Sequence, residues 1–86
     1  RSEMPDLAMY YNNLGYAYDN KGQYEEAIEN YRKAVEILEP ISREDRSKLP
    51  DLAKYYDNLG YAYDHKGDEK KAGEYFKKAK SIRGSS

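Results

Sequence analysis

The stretch from Met4 to Ile37, MPDLAMYYNNLGYAYDNKGQYEEAIENYRKAVEI, recurs from Leu49 to Ile82 as LPDLAKYYDNLGYAYDHKGDEKKAGEYFKKAKSI. This sets Gly15 opposite Gly60 and the copies 45 residues apart. Self-similarity at a period between about 20 and 50 residues marks a stacked repeat, in which each unit is too small to close its own core and buries an apolar face on its neighbour. The expected product is a surface rather than a reaction.

Within the first copy, Leu7, Tyr11, Leu14 and Tyr18 follow three- and four-residue steps, the period of a helix with one buried face. Ser2 is placed to cap this helix, Pro5 falls in its first turn, and Lys21-Gly22 stops it. Ser47 and Pro50 repeat that start in the second copy, and Lys66-Gly67 repeats the stop. A second stripe follows each glycine: Ala27, Ile28, Tyr31, Ala34 and Val35 in copy one, Ala72, Tyr75, Phe76, Ala79 and Ile82 in copy two. Turns this short force each helix pair into an antiparallel hairpin. Gly15 and Gly60 sit mid-helix, where glycine costs about 0.5–1 kcal/mol relative to alanine, so close helix contact is expected at both. Between the hairpins, EPISREDRSKL from Glu39 to Leu49 reads as a linker or an extra helical turn. One domain is expected over 1–86, with repeat one at 4–38, the linker at 39–48 and repeat two at 49–83.

Composition narrows the function. Eleven tyrosines must supply much of the apolar area of a chain of 86 residues, with rings buried and hydroxyls reaching water or a partner. The absence of cysteine removes disulfides and thiolate metal sites, and a net charge of −1 gives no global attraction to nucleic acid or anionic membranes. Without a signal peptide or a long apolar run, the expectation is a soluble cytoplasmic protein. The lysines of the last helix are interleaved with Glu69 and Glu74, which reads as a solvated face rather than an RNA or lipid site. His65 beside Asp64 and Asp68 lacks a second imidazole or thiolate, so neither metal nor cofactor is expected. With no nucleophile and base in a recognisable arrangement, the chain is expected not to be an enzyme.

The motif of an aromatic, Leu-Gly, Ala-Tyr, Gly-aromatic, Ala, aromatic and Ala is met by Tyr11, Leu14-Gly15, Ala17-Tyr18, Gly22, Tyr24, Ala27, Tyr31 and Ala34. Tyr56, Leu59-Gly60, Ala62-Tyr63, Gly67, Ala72, Phe76 and Ala79 meet it again. This pattern resembles the tetratricopeptide repeat, in a variant longer than the usual period of about 34 residues. The resemblance implies an all-α fold, two antiparallel helical hairpins stacked as a short right-handed α-solenoid. Ile28 becomes Gly73 and Val35 becomes Lys80 in copy two, so the outer face that would cover a following repeat is lost, as a terminal, capping repeat requires. Copies this alike also fit an engineered, consensus-like fragment.

The resemblance further implies a non-catalytic interaction module that binds an extended peptide on the concave face of the first helix of each pair. That groove would be lined by Met9, Asn12, Asn13, Tyr16, Asp19 and Asn20, and by Lys54, Asp57, Asn58, Tyr61, Asp64 and His65. Asn13, Asn58 and Lys54 fall where chaperone-tail binders of the family grip a terminal carboxylate. Met9 replaces a clamp lysine and there is no third repeat, so that clamp is not expected. Asp19, Asp57 and Asp64 outweigh Lys54, which favours basic or aromatic peptides over acidic ones. The alternative function is a self-assembling scaffold, a weak homodimer formed through Met4, Leu7 and Tyr10. The counterparts of those residues in copy two should meet copy one, but nothing in the chain covers them in copy one.

Overall fold

Glycine stops the first helix of each pair by adopting the left-handed conformation, φ 80° at Gly22 and 100° at Gly67. At the first stop the Gln23 amide donates to the Tyr18 carbonyl at 2.9 Å, and at the second the Asp68 amide donates to the Tyr63 carbonyl at 2.9 Å. A computed structural model describes residues 3–84, with side chains described from residue 6. Four α-helices follow in order: α1 Glu3–Asn20, α2 Tyr24–Glu44, α3 Leu49–Lys66 and α4 Glu69–Gly84. α2 packs against both α1 and α3, and α4 packs against α3. The result is an all-α fold of two hairpins stacked as a short solenoid. Ser2, the expected first cap, lies outside the described residues.

The mid-helix glycines are where the hairpins close. A Cβ added at Gly15 would stand 2.6 Å from Cδ1 of Tyr31, and one at Gly60 would stand 2.7 Å from Cε1 of Phe76. Each aromatic ring therefore lies on bare backbone of the opposing helix. The same economy recurs at the surface: Lys33 reaches over the Tyr11 ring at 5.3 Å, and its equivalent Lys78 reaches over Tyr56 at 5.5 Å. Tyr31, Leu38 and Leu59 are the largest fully buried side chains, which places the core along α2 and α3.

Between the hairpins the structure takes the helical alternative and carries it further than one turn. α2 continues through Pro40 to Glu44, because Leu38 and Ser42 keep its stripe buried beside the start of α3. Pro40 is exposed on the opposite side, so its ring removes one backbone bond without disturbing that contact. The break comes at Asp45, whose backbone is extended at φ −131° and ψ 96°. Its carboxylate accepts from the Ser47 amide at 3.1 Å and from the Ser47 hydroxyl at 2.6 Å, capping a single 3-10 turn over Arg46–Lys48. These bonds hold the Asp45 carboxyl below its usual range. Ser47, expected to cap α3, instead lies inside this turn; the N-cap position of α3 is Lys48, which makes no side-chain cap hydrogen bond, while Pro50 sits in the first turn of α3 as expected.

Candidate functional site

The side of α1 and α3 turned away from α2 carries the residues expected to line a groove. Asn58 and Asn12 meet across it, the Asn58 amide donating to the Asn12 side-chain carbonyl at 3.0 Å. One helical turn pair further on, His65 Nδ1 lies 2.9 Å from the Asp19 carboxylate. These two contacts tie α1 to α3 and form the floor of the strip. Asn12 was expected to line the groove, but it is buried at 8% exposure and its side-chain carbonyl is committed to Asn58. Asn58 is half-buried in the same seam, whereas Asn13, Asn20, Lys54, Asp64 and His65 are exposed.

Large side chains stand up from this floor. Tyr16 is 60% exposed, Tyr61 52% and Met9 51%. Tyr61 is braced edge-on by Phe76, with ring centroids 5.1 Å apart, so it is positioned without being covered. Beneath Tyr16 the Tyr31 hydroxyl is pushed above its ordinary range, first by burial and then by the charge of Asp19. Water cannot readily stabilise a phenolate there.

The acid excess read from sequence is partly neutralised by Arg83 of α4, from which Asp57 accepts at 2.7 Å, while Asp19 is tied to His65 by a hydrogen bond. Asp64 is exposed near the C-terminal end of α3, about 15 Å along the helix from Lys54. The strip is therefore graded, with Lys54 and Arg83 toward one end and Asp64 toward the other. Arg83 was missed as a groove neighbour because only the packing of α4 on α3 brings it to Asp57.

The face of α1 assigned to self-association is open. Leu7 is 40% exposed and Tyr10 57%, while their equivalents in the second copy, Leu52 and Tyr55, are 5% and 7% exposed. The Met4 side chain lies outside the described residues. No helix among the described residues is long and apolar enough to cross a membrane.

Compared with known protein families, the chain matches the tetratricopeptide repeat over residues 6–85, a span that takes in both hairpins and the segment between them. No curated protein matches the chain.

Proposed function

We propose a function from one premise: the chain belongs to the tetratricopeptide repeat family, whose members serve in general as non-catalytic protein–protein interaction modules. The partner of this chain is an extended peptide lying across α1 and α3. One observation carries the reading: Tyr16 and Tyr61, equivalent residues in the two copies, hold large rings 60% and 52% exposed on the same strip. Such rings supply flat contact area at low entropic cost, and the exposed Asn13, one turn before Tyr16 on α1, offers both a donor and an acceptor to a peptide backbone. Two helices about 10 Å across give a strip of about 20 Å, enough for about six extended residues. A basic or aromatic side chain suits the Asp64 end, and peptide carbonyls or an acid suit the Lys54 end.

The test is a peptide array probed with the purified chain and with the variant Tyr16→Ala plus Tyr61→Ala. Both substitutions lie on exposed positions, so circular dichroism of the variant should match that of the parent. Losing two aromatic anchors should weaken the best binders at least about tenfold. A variant that retains every hit at parental strength means that the peptide does not use this face.

A further inference from the structure

The second copy shows what covers the face that the first copy leaves open. On α3, Leu52, Tyr55 and Ala62 are 5%, 7% and 0% exposed, against Ile28 and Val35 of α2 at 6% and 5%. Three polar contacts fix the register of that interface. The Lys66 ammonium lies 3.3 Å from the Glu25 carboxylate, and Arg32 donates to the Tyr63 hydroxyl at 2.9 Å. The Tyr56 hydroxyl donates to the Glu39 carboxylate. The first copy repeats these receiving residues: Tyr18 and Tyr11 of α1 and Lys21 of the turn after it stand for Tyr63, Tyr56 and Lys66, and Leu7, Tyr10 and Ala17 stand for the apolar three.

We propose that this face of α1 docks a helix of a partner protein that carries the outward register of α2. That register is an acid, an aliphatic three residues on, an arginine four further, an aliphatic three further and an acid four further, as in Glu25, Ile28, Arg32, Val35 and Glu39. The acid pairs with Lys21, the arginine donates to Tyr18, the second acid accepts from Tyr11, and the aliphatics cover Leu7, Tyr10 and Ala17. A second copy of this chain does not meet the requirement. Its α2 is already occupied by its own α3, and its α4 carries Lys70, Gly73, Lys77, Lys80 and Gly84 at the five positions. Docking α4 would set a lysine against Lys21 and leave no aliphatic over Tyr10. The open face therefore selects against head-to-tail self-stacking and for a foreign helix. It lies apart from the peptide strip, so the two sites can fail independently.

The probe is a fluorescein-labelled peptide of residues 24–44, titrated with the full chain and read by anisotropy. Saturable binding is expected, weakened at least about tenfold by Leu7→Glu with Tyr10→Glu in the chain, and clearly by Arg32→Ala in the peptide. Binding indifferent to the α1 substitutions would mean that the peptide displaces α2 from α3, and the proposal fails. A short peptide can fail to form a helix alone. If it is silent, a chain with residues 4–48 repeated ahead of Met4 decides. One cooperative unfolding transition at higher temperature, with Tyr18→Phe coupled to alanine at the added copy's arginine, supports docking. Two independent transitions overturn it. Light scattering that finds a dimer of the parent, abolished by Leu7→Glu with Tyr10→Glu, also overturns it by placing a second copy on the face.

Discussion

Replacing Gly15 with alanine pits two effects of opposite sign against each other at one atom. Alanine is the better helix former by about 0.5–1 kcal/mol. Its methyl carbon would stand 2.6, 2.8 and 2.9 Å from Cδ1, Cε1 and Cγ of Tyr31. Those atoms include the near edge of a ring that is only 1% exposed, so the ring cannot swing aside into solvent. Overpacking of this kind costs about 1–3 kcal/mol, which outweighs the propensity gain and leaves a net loss of about 1–2 kcal/mol. For a domain of this size the melting temperature should fall by about 4–16 °C. Gly73 is the internal control, a helical glycine with nothing within 4 Å of an added Cβ, so Gly73→Ala should raise the melting temperature by about 2–8 °C. Thermal unfolding followed by circular dichroism reads both. A Gly15→Ala variant that melts higher than the parent would refute the close contact between α1 and Tyr31.

Equivalent leucines should behave differently: Leu52→Ala, at 5% exposure, should cost about 2–5 kcal/mol in urea unfolding. Leu7→Ala, at 40% exposure, should cost under about 1 kcal/mol. Burial is the first cause that holds the phenols of Tyr31, Tyr55, Tyr56 and Tyr75 above their ordinary value, with the Glu39 carboxylate adding to it at Tyr56. Each keeps its proton more firmly folded than unfolded, so this contribution is complete below about pH 10 and is lost as pH rises beyond it. Tyrosine absorbance and far-ultraviolet dichroism should change together above that pH, and ionisation of these four phenols near pH 10 in a folded chain would contradict their burial. A double-mutant cycle of Arg32→Ala and Tyr63→Phe should show a coupling below about 1 kcal/mol, because the guanidinium is largely solvated. An additive pair would remove that bond from the register between the hairpins.

Gly15, Gly60, Gly22 and Gly67 were legible in sequence because each answers a local demand, a close approach or a left-handed turn, that only glycine meets cheaply. The exposure of Leu7 and Tyr10 was legible for a related reason: they share their identities with Leu52 and Tyr55, but among the described residues no helix packs on them as α2 packs on α3. Pro40 left the segment after Glu39 open between a linker and a further helical turn; its local penalty near the end of a helix is smaller than the gain from keeping Leu38 and Ser42 packed, so the helix runs on. Asn12 looked like its exposed neighbour Asn13 because the period of a helix cannot say which residue of a polar face meets the next helix. The pairs Asp19–His65, Asp57–Arg83 and Arg32–Tyr63 join residues 26 to 46 positions apart; the stacking of one hairpin on the other brings the first and third together, and the packing of α4 on α3 brings the second.

A nuclear magnetic resonance titration with an array-selected peptide tests the central claim most directly. If the strip across α1 and α3 is the binding site, the amide shifts should concentrate at Asn13, Tyr16, Asn58, Tyr61 and Asp64, with α4's outer residues Gly73 and Lys80 unmoved. Shifts confined to α2 and α4, with Tyr16 and Tyr61 unchanged at saturation, would contradict the account.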